Sequence, residues 1–204
     1  MTAVTKDGEL SAGARRLRSR ISRQFSSVEA EHLTTFASRL LAKGGSAYAE
    51  ALGDDELMAL VGSGYRFFMG AGQLPRLRVF NPRFSTEGWE PEFTIIEICM
   101  EDNPFVVETL RGYLRREGFV IRHVLHPVLV THRERDGGLI AVRSRGEEGV
   151  SESFTHVAID RIGEEAILSS MESDLQARLN DLNLAMCDQR GMRERIEAIA
   201  QDLD

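Results

Sequence analysis

The chain has 204 residues, 42% of them apolar and 28% charged, with a net charge of −7. That length and mixture suit one domain with a sizeable core plus appended helices. No apolar run reaches the ~18 residues of a bilayer span and no signal-peptide core precedes a small-residue cleavage site, so a cytosolic protein is expected.

Charge is uneven. Residues 1–27 carry Lys6, Arg15, Arg16, Arg18, Arg20 and Arg23 against Asp7 and Glu9, a net +4, which leaves −11 for the rest. The Arg15–Arg23 tract has three readings: a solvated helix face, a nucleic-acid or anionic-membrane patch, and a targeting peptide. The acidic remainder repels phosphate and no aromatic platform accompanies the arginines, so the solvated face is favoured, with no nucleic-acid or membrane partner.

Residues 1–13 read as a disordered tail. Ala14 to Ala42 is proline-free, and Ile21, Phe25, Val28, Leu33, Phe36, Leu40 and Leu41 recur mostly at three- and four-residue steps. A helix is expected there, stopped by Gly44-Gly45, with a second over Ala47–Leu52 and a third capped by Asp54 or Asp55. Residues 14–72 thus form a helical lobe, ending at Gly70 to Pro75. The other glycine-rich spots, Gly62 to Gly64 among them, read as helix breaks.

Residues 76–186 read as an α+β domain. Leu77–Asn81 is a short strand, and the turn-rich 82–92 segment holds the only Trp, Trp89. Phe93–Met100 is apolar on both faces and reads as a central strand covered on both sides. Asn103 then Pro104 starts a helix whose stripe is Phe105, Val106, Leu110, Tyr113 and Leu114, with Glu108, Arg111, Arg115 and Arg116 facing water. Gly118 ends it. Phe119–Thr131 is a long strand with a bulge or edge position at Pro127. Asp136-Gly137-Gly138 turns into Leu139–Arg143. Gly146–Gly149 is a polar loop, Ser153–Ile162 the next strand, and Glu164-Glu165 opens a long helix. A separate C-terminal helix is expected within 190–204. The order β-β-α-β-β-β-α is close to a ferredoxin-like antiparallel sheet with two helices on one face, Leu77–Asn81 filling the edge slot antiparallel to the central strand.

The chemistry inventory is sparse. There is no dinucleotide fingerprint, Walker loop, HExxH or GxSxG, so no catalytic residue and no seat for NAD is read in this chain. His123 and His126, three apart on one strand, point to opposite faces and chelate one ion only across a bulge. Hydrogen-bonded histidines within the sheet are the simpler reading, with Asp160 as a fixing partner for His156, and no metal is expected. Cys99 reads as a buried reduced thiol, and Cys187 is isolated. Glu101 and Asp102 either cap a helix or accept the amine of a small ligand.

These residues carry a family likeness. Arg78-Val79-Phe80-Asn81-Pro82, Glu87-Gly88-Trp89, Thr94 to Ile98, Asp102 to Thr109, His126-Pro127-Val128-Leu129, Asp136-Gly137-Gly138 and Glu152 to Arg161 follow one another in an order that resembles the N-terminal region of the large bacterial NAD-dependent glutamate dehydrogenases. The weaker likeness runs from about Phe36 to about Ile196. Asn103 stands where the family has an apolar residue, and Gln189-Arg190 where it tends to have Trp-Pro. The resemblance implies an ACT-type domain, a regulatory and assembly module of an oxidoreductase acting on a CH–NH2 group whose glutamate- and NAD-handling residues lie beyond residue 204. It also implies a candidate ligand turn for a small amino acid at Glu101, Asp102, Asn103 and Pro104, and pairing with itself or with a glutamate dehydrogenase catalytic region. A free-standing amino-acid sensor is the alternative. Partner association has a further motive: a sheet with helices on one face leaves the other needing cover.

Overall fold

The structure, a computed structural model, describes residues 12–42, 45–70, 72–143 and 148–201. Most of the tail expected over residues 1–13 falls outside these, as do Gly44 and part of the 146–149 loop. The N-terminal lobe contains four helices: α1 (Ala12–Gln24), α2 (Ser27–Leu40), α3 (Gly45–Ala51) and α4 (Asp54–Met69). The expected continuous helix from Ala14 to Ala42 is therefore two. Ser26 is the cause: extended at φ −61°, ψ 162°, it forms a capping box in which its hydroxyl accepts from the Glu29 N–H and the Glu29 carboxylate accepts from the Ser26 N–H. Gly62 and Gly64 lie inside α4 rather than breaking it. At Gly64 the helix comes so close to the sheet that a Cβ would sit 3.1 Å from the Phe154 ring.

The second unit contains β1 (Arg76–Phe80), the short α5 (Phe84–Glu87), β2 (Phe93–Glu101), α6 (Val106–Arg116), β3 (Ile121–Leu125), β4 (Val128–Arg133), β5 (Leu139–Arg143), β6 (Val150–Asp160) and α7 (Glu165–Gln201). The sheet runs β1-β2-β6-β4-β5, antiparallel throughout, and β3 lies beside β6 as well. The edge slot is filled as expected: Leu77 lies opposite Ile98 and Val79 opposite Ile96. Pro127 divides the expected long strand into β3 and β4, and both halves pair with the eleven-residue β6. α7 continues through Met192 to Gln201, so the final segment extends α7 and is not a separate helix. No described helix is long and apolar enough to cross a membrane.

The sheet is covered on both faces by this one chain. Ile96, Ile98, Met100, Val157 and Ile159 pack under α6 and α7 with Leu110, Leu114, Leu168, Met171 and Leu175. On the reverse face Ile95, Cys99, Phe154 and Ala158 meet the lobe through Leu17, Ile21, Leu33, Phe36, Leu57, Leu60 and Phe68. The face expected to need a partner is closed by α1–α4. Phe36 is the joint, its ring 5.2 Å from that of Phe154 and 5.4 Å from that of Phe68. The stripe of α6 is as read except Phe105, which is 55% exposed because the helix proper begins only at Val106.

The two margins of the sheet differ. Alternating backbone groups of β1 point away from β2, and α7 meets them: the Val79 N–H donates to Glu172 (3.1 Å), and the Gln176 amide donates to the Pro75 carbonyl (3.1 Å). At the other margin α2 lies against β5.

Candidate functional site

The turn from Glu101 to Pro104 joins the last residue of β2 to α6. Glu101 stands opposite Glu152, and the Asp102 N–H donates to the Ser151 carbonyl at 2.8 Å, which holds the turn against β6. Asn103 is the buried residue of the four. Its Oδ1 accepts from the Phe105 N–H at 2.9 Å and its carbonyl from the Val106 N–H, so it supports the start of α6 from two residues before Phe105, which takes the cap position expected of Asn103. Its Nδ2 is buried and finds no hydrogen-bond partner among the described residues. Asp102 and Pro104 are exposed.

Residues of β6 and of the β3–β4 junction lie behind this turn, on the α6 side of the sheet. Ser153 sits between Met100 and Val128, and its hydroxyl is buried without a partner. His126 Nδ1 meets the Thr155 hydroxyl at 2.8 Å. Burial holds the His126 imidazole below its ordinary 6.5, against the opposing pull of the Asp102 and Glu108 carboxylates. The turn thus offers the exposed Asp102 carboxylate as an acceptor, a helix N-terminus, an unengaged amide donor and an uncharged imidazole. That set suits both ends of a zwitterion. It contains no activated nucleophile, and no group of three or more described His, Cys, Asp or Glu residues is placed to hold a metal.

The histidines fall as their spacing requires. His123 is on the lobe side, stacked on Tyr48 at 4.1 Å and 8°, while His126 is on the helix side. Burial, with the neighbouring His156, lowers the His123 imidazole. Asp160 does not fix His156. It pairs with Arg122 (2.5 Å) at the end of β6, four residues and more than 10 Å along the strand. Glu97, directly opposite on β2, takes that role: its carboxylate lies 2.9 Å from His156 Nδ1, and both side chains are buried.

Glu97 is the centre of a polar cluster that the sequence reading missed. Arg78, opposite it on β1, reaches its carboxylate at 2.6 Å and also donates to the Ser63 hydroxyl and carbonyl on α4. Ser63 in turn binds Glu87 of α5. Trp89 lies over His156 with ring centroids 6.4 Å apart. Burial raises the Glu97 carboxyl, but the His156 hydrogen bond and the Arg78 charge outweigh it and hold the group below its ordinary value. One signal was available: Glu97 is the only charged residue in FTIIEICM. A second buried pair, Arg133–Glu152 at 2.7 Å, ties the β4–β5 hairpin to the Phe68 carbonyl at the end of α4. Arg16 and Arg20 of the basic tract are paired with Asp54 and Asp55, which agrees with a solvated helix face.

Comparison with known proteins places this architecture. The profile of the family described as "Glutamate dehydrogenase, ACT1 domain" matches residues 36–175. The chain belongs to that family. Its relatives include an NAD-specific glutamate dehydrogenase of Halomonas elongata, 30% identical over 135 residues, or 65% of this chain. The corresponding protein of Pseudomonas aeruginosa is 28% identical over 124 residues, or 59% of this chain. In each case the match covers 8% of the relative's length. No solved structure matches. The ACT1 match begins at Phe36, the lobe residue that packs on Phe154, and ends at Leu175 in α7. It therefore takes in the whole sheet but leaves out α1.

Proposed function

We propose that this chain is a regulatory and assembly module of an NAD-dependent glutamate dehydrogenase, inert as a catalyst by itself and acting in the cytoplasm. The observation that carries the reading is the ACT1 family match, which spans the sheet, α6 and the first part of α7. Oxidation of glutamate with NAD belongs to a catalytic region that this chain contacts, and the module's contribution is to assemble that region or tune it. The decisive assay mixes the purified chain with glutamate and NAD, with and without a glutamate dehydrogenase catalytic region. Turnover by the chain alone overturns the proposal. Association with the catalytic region, or a change in its activity, supports it.

Within this reading the Glu101–Pro104 turn is the ligand site for a small amino acid. Asp102 and Glu101 accept from its amine, and the start of α6 with the Asn103 amide meets its carboxylate. The unengaged Asn103 Nδ2 and Ser153 hydroxyl favour this, because buried polar groups are ordinarily satisfied. They also favour the second reading, a sensor that works without a catalytic partner. Calorimetric titration with the common amino acids tests the site: Asp102→Ala weakens any binding about tenfold, the loss of one charge-assisted hydrogen bond. Flat titrations across the series remove the ligand role from both readings.

A further inference from the structure

Three buried polar atoms at the seam between lobe and sheet have no hydrogen-bond partner among the described residues. They are the Tyr48 hydroxyl on α3, the Trp89 indole N–H on the α5–β2 connection and His156 Nε2 on β6. Tyr48, Trp89 and His156 are 4%, 3% and 1% exposed, so bulk solvent does not reach them. His156 is the neighbour they share: its ring centroid lies 6.2 Å from that of Tyr48 and 6.4 Å from that of Trp89. Both rings stand back from the imidazole, whereas Tyr48 is in face contact with His123 at 4.1 Å. Native interiors rarely leave even one such group unpaired, and three around one imidazole point to a common partner.

The protons of these groups specify that partner. Glu97 lies 2.9 Å from His156 Nδ1; burial raises its carboxyl, but the His156 hydrogen bond and the Arg78 charge hold it below its ordinary value. An ionised carboxylate only accepts, so Nδ1 carries the proton and Nε2 presents a lone pair. Burial, with the Glu97 and Glu56 carboxylates, pushes the Tyr48 phenol well above its ordinary 10, so it keeps its proton. Trp89 can only donate. Two donors therefore surround one acceptor. The donors repel a cation, and the lone pair with the Glu97 carboxylate behind it repels an anion. We propose that one ordered water molecule is held here, accepting from the Trp89 indole N–H and the Tyr48 hydroxyl and donating to His156 Nε2. Buried waters ordinarily make about three hydrogen bonds to groups of this kind. The water completes a polar chain from Tyr48 through His156, Glu97 and Arg78 to Ser63 on α4. Both ends of that chain belong to the lobe, so α3 and α4 are fastened to the sheet through the same buried carboxylate.

The single tryptophan makes the test direct, since the 204-residue chain gives one indole N–H signal in a nitrogen-edited proton spectrum. The expected result is a nuclear Overhauser contact between that proton and water. It is retained in Tyr48→Phe, where the indole and His156 still hold the molecule, and retention excludes relay through an exchanging Tyr48 hydroxyl. Stability supplies an independent sign. With the water in place Tyr48→Phe removes a made hydrogen bond and lowers the melting temperature by about 2–4 °C. Deleting a hydroxyl that has no partner leaves the melting temperature unchanged or raises it. The phenyl ring keeps the stack on His123, and circular dichroism checks the fold. An indole proton with no water contact overturns the proposal. So does a contact that disappears in Tyr48→Phe, or a Tyr48→Phe melting temperature that does not fall.

Discussion

Glu97 places a carboxylate in the middle of the core, where its two partners decide whether it is tolerated. With Arg78 and His156 in contact the charge is matched; with Glu97→Ala the His156 imidazole stays buried without its partner, and the half-buried Arg78 keeps only Ser63 and the more distant Glu87 carboxylate at 3.7 Å. Removing one member of a buried pair costs about 3–5 kcal/mol, and urea unfolding of Glu97→Ala measures it. The pair also sets a pH dependence. The folded carboxyl titrates below its ordinary 4.5, so its contribution is complete above that value and is lost as pH falls through the lower folded one. His123 and His126, both held below 6.5, act in the same direction, because the unfolded chain takes up their protons first. Stability therefore falls on acidification from about 6.5 downward, and Glu97→Gln flattens the lower part of the curve of melting temperature against pH. Asn103 is the other residue with a measurable role: Asn103→Ala removes the acceptor for the Phe105 N–H and costs about 1 kcal/mol by denaturant melt.

Secondary elements here are defined by what closes them. α7 covers the outer edge of β1, the strand that fills the slot of the missing last strand, using Glu172 and Gln176 as hydrogen-bonding partners for backbone groups that a further strand would otherwise meet. The double variant Glu172→Ala, Gln176→Ala exposes that edge. It loses about 1 kcal/mol for each bond and scatters more light as concentration rises, whereas an unchanged scattering profile shows the edge to be protected otherwise. The β4–β5 hairpin depends on Gly137, at φ +89°, where a Cβ would overlap the backbone of Gly72. Gly72 also donates its N–H to the Asp136 carbonyl, so the hairpin tip and the α4–β1 loop are fastened together. Gly137→Ala destabilises the fold by about 2 kcal/mol or more, read as a drop in melting temperature.

At the scale of the molecule, lobe and sheet share one core. Phe36, Phe68 and Phe154 join them, and Trp89, the only tryptophan, reports from the seam. Trp89 fluorescence and far-ultraviolet circular dichroism are therefore expected to follow a single coincident unfolding transition. Phe154→Ala opens a cavity at the joint and lowers stability by about 3–5 kcal/mol; separate transitions for the two probes would show that the lobe folds independently of the sheet.

Local chemistry made much of this legible from the sequence. Alternating and helical periodicities located the strands and α6, Asn103-Pro104 marked the approach to the helix, Pro127 an irregularity in what read as one long strand and is two, and the missing last strand pointed to Leu77–Asn81 at the edge. The candidate turn was chosen by family resemblance; Glu101 to Pro104 lie at the β2–α6 junction, with His126, Ser153 and Thr155 behind them, a grouping the sequence did not bring together, and Phe105 is exposed. What the sequence left undecided depends on partners far apart in the chain. Ser26 and Glu29 interrupt a run of good helix formers, Gly64 is tolerated inside α4 because Phe154 approaches there, and Glu97 is buried because Arg78 and His156 stand opposite it on either side. Only the tertiary structure could decide that α1–α4 close the second face of the sheet, since an apolar strand face records that it will be covered but not by which segment.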